Sequence, residues 1–532
     1  MKSKPDSEHG RNDIAERQPV PRWLAKVFLA AIVLAVLVVE LRAAALRSLW
    51  FDELSTLIVS SAPTMRQMFR EIPVDGNPPL YFLLARFCLH LPIRTELALR
   101  LPSIAAINVA ALMIYLFVRR NARSIFAFFA MSIFLGSAMG SFAAMEARPY
   151  ALLLCFTSVA ICCWQSAARQ RKRRLALAGI AAAMAGAIFS HHYGVIYVTL
   201  PLLAGEGVRA WQNRRIDLPV VGAMLAGAAT LLITFPPMLH EQAGLLRLVK
   251  QCSVFWARPQ LGSFSVYWSV YSDTVPKPAA ALALIVGALA AFPYAILARN
   301  GVFGKPAKPP SRPPIEDLAV GSALALLLPV MLVVTRIGTG YFWDRYAAGT
   351  ALGIAVLSGL LLSWLSERLP AIEAFVFAGI LYSLSSAMIV FWFVSPVQRF
   401  AGAQADPLFL SAPAQETIVI ANAVRFAPAW WYADPAARGR LHYLSDLDYA
   451  VKQLDFIPEY TLTAEQQFGA PKLDSYKEFL AAHREFLLYC DGTSRLEWVK
   501  NRLGGDGWQL VPIGSQGTRE LFRVFAPASV PR

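Results

Sequence analysis

From Leu24 to about residue 393 the chain alternates long apolar runs with short polar segments. An α-helix needs roughly 20 apolar residues to cross a bilayer. Runs near that length are predicted at 24–39, 102–118, 124–142, 150–166, 175–190, 193–209, 217–238, 279–297, 317–335, 347–365 and 371–393. The pattern predicts a polytopic α-helical membrane protein of about eleven spans. Between the first two spans lies a different stretch, Trp50–Arg100, with an amphipathic segment at Met65–Glu71 and an apolar helix at Leu80–Leu91. The latter is short for a span and is expected to lie in the outer interface.

Past Ser395 the pattern shifts to alternating strand and helix signals. Strands are predicted at 417–422, 441–444 and 485–490, helices at 427–432, 475–483 and 496–503, and a terminal hairpin from 508–512 and 520–525. That order predicts a small α/β domain with a largely parallel sheet. The expected organisation is a polar, disordered tail over 1–22, a transmembrane domain over 23–394 whose first external loop covers 41–101, and an external α/β domain over 395–532.

Charge supplies the sidedness. Only 16% of the 532 residues are charged, against about 25% in a soluble domain. The net charge of +15 gathers in short loops: Arg119–Arg123, Arg169–Arg174, Arg209 with Arg214 and Arg215, and Arg299, Lys305, Lys308 and Arg312. With the spans above, all fall on the side of the N-terminus, the cytoplasmic side by the positive-inside rule. Counting Leu80–Leu91 as a full span would put Arg119–Arg123 opposite the others. Charge arranged this way argues against a nucleic-acid partner. No Cys pattern suggests zinc. Three of the six cysteines share one apolar run, while Cys252 and Cys490 fall on the external side with nothing to show that they pair. The first span lacks an A-x-A cleavage site and is read as a retained anchor.

The external loops hold the chemistry. Asp52 and Glu53 follow the first span; in isolation they read first as a solvated loop end, or Asp52 as the cap of a helix starting at Glu53. Beside Trp50, Phe51 and Leu54, a carboxylate gains a raised pKa and can act as a base. Glu146 ends another span and is followed by Arg148 and Tyr150, either as a surface ion pair or as a second carboxylate meeting Asp52. His191 and His192 open a third loop, and adjacent residues on a helix point apart, so one is expected to face the site. Asp52, Glu146 and His192 together offer a divalent cation its ligands. Asn77-Pro78-Pro79 fixes a turn. Arg100 starts the second span, where arginine usually snorkels. Arg345 can hold a phosphate in bidentate fashion or pair with Asp344. Lys250, Arg258 and Lys277 are weaker candidates.

In order, an acidic pair after the first span, N-P-P-L-Y, R-L-P-S, A-R-P-Y and H-Y-G resemble the GT-C membrane glycosyltransferases over about residues 24–365. The nearest branch holds the protein O-mannosyltransferases, aminoarabinose transferases and lipopolysaccharide-core transferases. The resemblance implies transfer of a sugar from a polyprenyl phosphate to a glycan, lipid or protein acceptor on the outer face of the bacterial inner membrane, with the C-terminal domain periplasmic. It maps the catalytic acid onto Asp52, with Glu53 beside it, and the second-loop acid onto Glu146. Arg345, Arg148, His191, His192, Tyr150, Arg100 and Asn77 are then expected on the donor-phosphate side. Asn77 stands where many relatives carry histidine, which weakens a metal role at that position. The competing readings are a transporter or flippase of lipid-linked sugars, a related polymerase, and a receptor whose external domain is the active part. Transport predicts ionisable residues at mid-span, whereas here they sit at the external ends.

Overall fold

The computed structural model describes residues 22–239, 312–394 and 415–527, except 339, 341, 370–371, 454–457, 467–468 and 493–496; residues 243, 244, 247 and 408 are also described. The expected span at 279–297, Cys252, Lys250, Arg258, Lys277, Arg299, Lys305, Lys308 and the tail before Arg22 lie outside those residues. Among the described residues, six helices are long and apolar enough to cross a membrane, or eight when two bent pairs each count as one span. The chain is therefore a multi-pass membrane protein. The helices Arg22–Leu46 (α1) and Gly194–Asn213 (α10) occupy two more of the predicted span positions.

Between α1 and the next long helix, Thr95–Arg119 (α5), the chain folds into three short helices: Phe51–Ser60 (α2), Met65–Asp75 (α3) and Leu80–Leu89 (α4). Ten residues of helix reach only about 15 Å, half a bilayer core, so α4 does not cross. The polar ends follow ordinary capping chemistry. Thr64 accepts the Gln67 N–H at 3.1 Å and starts α3. Gly76, at φ +82°, ends it in the left-handed conformation that glycine adopts freely.

Two spans are broken. Ser124–Gly136 (α6) and Ala138–Met145 (α7) meet at 59°. Ser137 makes the break: its backbone is extended, and its hydroxyl donates to Phe134 O at 2.7 Å and accepts the Gly140 N–H at 3.0 Å. The turn redirects the chain so that Met145 delivers Glu146 to the first loop. The second pair, Ile315–Ala325 and Leu327–Ile337, bends by 49°. At the opposite end of the bundle the basic loops are tied together. Arg169 reaches Asn121 at 2.7 Å and Asp317 at 2.9 Å, Arg173 pairs with Asp217 at 2.5 Å, and Arg123 pairs with Glu373. The basic loops thus share one end and the acidic and aromatic loops the other.

The region from residue 415 carries a five-stranded mixed sheet of order β2-β1-β5-β7-β6: β1 Ile418–Ile420, β2 Leu441–His442, β5 Glu485–Cys490, β6 Gln509–Gln516 and β7 Arg519–Phe525. The three strands β2, β1 and β5 are parallel. The predicted hairpin β6–β7 adds antiparallel to the edge of β5, so the sheet is less parallel than expected. Two further short strands, β3 Leu444–Ser445 and β4 Asp474–Ser475, pair separately. Helices at Leu447–Gln453 and Pro458–Glu465 were not expected from the sequence. Strand alternation divides the sheet. Ile418, Ile420, Leu487 and Tyr489 share one apolar core with the membrane helices, while Val419, Phe486, Leu488 and Cys490 face a second core around Trp498 and Phe479.

Helix packing in the bundle depends on missing side chains. A Cβ at Gly353 would collide with the backbone of Ala325 and Leu324 on the neighbouring helix. Backbone cannot yield as a side-chain tip can, so Gly353→Ala is expected to cost roughly 1–3 kcal/mol. At Gly222, in the helix Leu218–Ala228, an added Cβ meets nothing within 4 Å, and Gly222→Ala should be neutral or gain up to ~1 kcal/mol. Thermal unfolding of the two variants in detergent checks the contrast.

Candidate active site

The first loop is fixed by a buried ion pair. Glu53 and Arg100 are both sealed from solvent. Arg100 spends all five N–H groups: Nε and one terminal nitrogen on Glu53 at 2.7 and 2.6 Å, the others on the carbonyls of Ala44, Arg47 and Ser48 at 2.7, 2.6 and 3.0 Å. Glu53 also accepts the Ala147 N–H at 2.8 Å and the Trp50 N–H at 3.2 Å. Burial alone pushes its carboxyl up, but the Arg100 charge and hydrogen bonds, with Arg47 and Ala147, outweigh burial and hold it below the usual range. Both side chains have spent their bonding capacity. The sequence-based roles of Glu53 in catalysis and Arg100 in phosphate binding are corrected accordingly: the pair joins α1, α2, α5 and the Glu146–Arg148 loop. Ser103 of the same R-L-P-S segment donates to Glu146 O at 2.5 Å and is itself met by Tyr81 at 2.8 Å.

On this support four loops converge. Asp52 lies in the first turn of α2, which begins at Phe51, so it is not the cap of a helix starting at Glu53. Its carboxylate pairs with Arg345 at 2.9 Å. Arg345 comes from the short turn Asp344–Ala347, held by Tyr197, which donates to Tyr346 O at 2.8 Å and accepts the Gly349 N–H at 3.2 Å. The rings of Trp343, Tyr150 and Trp50 stand 5.1, 5.3 and 5.8 Å from its guanidinium carbon, close enough for cation–π attraction. Arg345 thus pairs across the site with Asp52, not with its neighbour Asp344.

Glu146 is buried, and both its carboxyl oxygens lack a hydrogen-bond partner among the described residues. Burial, with nearby Glu53 and Asp52 against the attraction of Arg345 and Arg47, pushes its pKa up to about 8. At neutral pH Glu146 is therefore mostly a neutral acid, able to donate one hydrogen bond and accept others. It forms no ion pair with Arg148. Arg148 turns instead to Asp75 at 2.6 Å, to Asp52 O at 3.2 Å and to Thr56 Oγ1 at 3.3 Å. Asp75 also accepts Ser55 Oγ at 2.9 Å and Asn77 Nδ2 at 2.5 Å. Asn77 thus donates one amide hydrogen to its neighbour in the turn.

The two histidines diverge. His191 packs among Tyr193, Tyr150 and Tyr346 at centroid distances of 4.9, 5.6 and 5.9 Å, and its Nδ1 accepts the Tyr193 N–H at 3.1 Å. Burial, then His192, Arg148 and Arg345, lowers its pKa to about 3. The ring is neutral, with its proton on Nε2. His192 turns its edge to Phe235 at 5.4 Å. Asp52, Glu146 and His192 do not form a ligand set; among the described residues no three His, Cys, Asp or Glu side chains stand together as metal ligands. The positive charge beside the carboxylates comes from Arg345 and Arg148.

Sequence reasoning missed Asp75, Ser55 and Glu465. Asp75 had a signal, the D-G-N-P-P turn in the stretch already singled out. Glu465 had none, since it arrives from the C-terminal region to bond Ser55.

Residues 76–240 match the family of dolichyl-phosphate-mannose-protein mannosyltransferases. That segment runs from α4 through the helix Leu218–Ala228, with Arg100, Glu146, Arg148 and both histidines. The whole fold is similar to ArnT from Cupriavidus metallidurans in its apo state, with a TM-score of 0.56 at 14% identity over 94% of this chain and 98% of that one. Against the same protein bound to undecaprenyl phosphate the TM-score is 0.53 at 15% identity, with the same coverage. No curated protein matches the sequence.

The buried pair gives a direct test. Arg100→Ala strands the Glu53 charge and is expected to cost about 3–5 kcal/mol, seen as a large fall in melting temperature. Gly222→Ala in the same assay should leave it unchanged or slightly raised. On this architecture, the chain is a multi-pass membrane protein that shares its fold with ArnT.

Proposed function

We propose that the protein is a glycosyltransferase that moves a sugar from a polyprenyl-phosphate donor to a hydroxyl or amine acceptor. The observation that carries this reading is the Asp52–Arg345 pair at 2.9 Å, a base and a phosphate ligand side by side at the ends of apolar helices. The match to mannosyltransferases that use dolichyl phosphate and the fold shared with an undecaprenyl-phosphate-binding ArnT support it.

In this reading the lipid tail lies between spans and its phosphate takes the guanidinium of Arg345. Asp52, released from that pairing, accepts the proton of the acceptor. The acceptor oxygen or nitrogen bonds to the anomeric carbon as the bond from that carbon to the phosphate oxygen breaks. The electron pair leaves on the polyprenyl phosphate, where Arg345 stabilises the charge. A single displacement inverts the anomeric centre. Neutral Glu146 is suited to hold a sugar hydroxyl, and His191 can offer its Nε2–H. The site faces the outside of a bacterial inner membrane, with the basic loops cytoplasmic. Acceptors of the class are envelope glycans, lipids or proteins.

Purified protein offered a panel of radiolabelled polyprenyl-phosphate sugars tests the assignment. Asp52→Asn should lower kcat on the order of 10²–10⁴-fold, and Arg345→Ala should weaken donor use most. Full transfer by Asp52→Asn would overturn the base. Donor left untouched by every form would favour a transporter.

A further inference from the structure

The helix Pro458–Glu465 of the C-terminal region packs on α3 of the first loop, and its last residue, Glu465, is buried there. Ser55 of α2 hydrogen-bonds both Glu465 Oε1 and, at 2.9 Å, Asp75 Oδ2. A serine hydroxyl carries one proton. Two carboxyls bonded to one hydroxyl therefore need a second proton, and one carboxyl must bring it. Asp75 is not that carboxyl, because it already receives Arg148 at 2.6 Å and the Asn77 amide at 2.5 Å, both donors that favour the ionised form. The proton sits on Glu465. It donates to Ser55, which donates to Asp75, which holds Arg148, whose guanidinium reaches Asp52 O at 3.2 Å.

We propose that Glu465 is a positioning residue: as a neutral carboxylic acid it docks the C-terminal region on the first loop and, through Ser55, Asp75 and Arg148, fixes the backbone that carries Asp52. The proposal rests on the functional reading above for its activity readout only.

The surroundings explain why the acid stays neutral. The charged groups that act most on Glu465 are Asp75, Arg148 and Asp52, and the Glu459 carboxyl on its own helix is bonded to Tyr443 and Trp498. Burial first, then the two aspartates, raise its pKa to about 8 despite Ser55 and Arg148. A raised carboxyl gives stability that is complete below its unfolded pKa and is lost as pH rises through about 8. Above that pH a second negative charge faces Asp75 across Ser55, and the contact opens. A second attachment, Tyr432, donates to Glu96 at 3.2 Å and accepts the Leu49 N–H at 2.8 Å. It keeps the region attached when Glu465 lets go.

The experiment compares wild type, Glu465→Gln and Glu465→Ala by donor transfer and by amide hydrogen exchange in segments 51–60 and 458–465, each at pH 6.5 and at pH 9. Glutamine keeps a neutral donor, so Glu465→Gln should match wild type at pH 6.5 and exceed it at pH 9 in both activity and protection. Alanine should lose kcat on the order of ten- to a hundredfold, as expected for a misplaced catalytic group, with little change in donor KM. It should also exchange faster in both segments at both pH values. Glutamine as impaired as alanine would show that an ionised Glu465 is required and overturn the proposal. Alanine equal to wild type would overturn it as well. If wild-type protein transfers no sugar, the functional reading falls, and the exchange comparison alone decides the docking role.

Discussion

The first loop stands on one buried ion pair. Sealing Glu53 and Arg100 from water is costly, and only complete mutual satisfaction makes it tolerable. The geometry meets that condition, with every guanidinium N–H and every carboxylate acceptor site used. The return is directional. Arg100 gathers the carbonyls at the end of α1, and Glu53 ties down α2 and the loop after α7. Asp52 follows from this, since its neighbour cannot turn. The first loop becomes a shelf that presents the Asp52 carboxylate to Arg345 of the later turn.

Much of this was legible in the chain, though not in the right roles. Hydrophobic run lengths located the helices, because each must hide its backbone from lipid within one segment. Charge placed the loops on two ends, and the contacts of Arg169 with Asn121 and Asp317 put the basic loops together. The motifs of the resemblance also meet in one neighbourhood of the structure. Arg100 and Ser103 are its clamps, however: Arg100 grips Glu53 with every N–H it has to spare, and Ser103, met by Tyr81, holds the carbonyl of Glu146. A motif records which residues the geometry requires and is silent on whether they hold the site or act in it.

What the sequence withheld was whatever depends on distant partners. Adjacent acids look alike in a string of letters, and only the position of Arg345 and Arg100 separates Asp52 from Glu53. Glu146 and Arg148, two residues apart, invite pairing, but the extended backbone at Glu146 (φ −106°, ψ 133°) and the nearby Asp75 send them to different neighbours. The mixed sheet was half readable, since β-hairpins announce themselves locally and the parallel strands did so through alternation. The short helix ending at Glu465 had no amphipathic pattern to announce it, and its meaning lies in what it touches.

The Ser55–Glu465 contact joins residues 410 positions apart. A ribosome extends a chain at about 5–20 residues per second, so the early loop waits through most of translation before its last neighbour exists. During that interval the membrane helices can settle, while the shelf lacks its cover. The cover is thus the last part of the first loop's surroundings to be made, long after the loop itself.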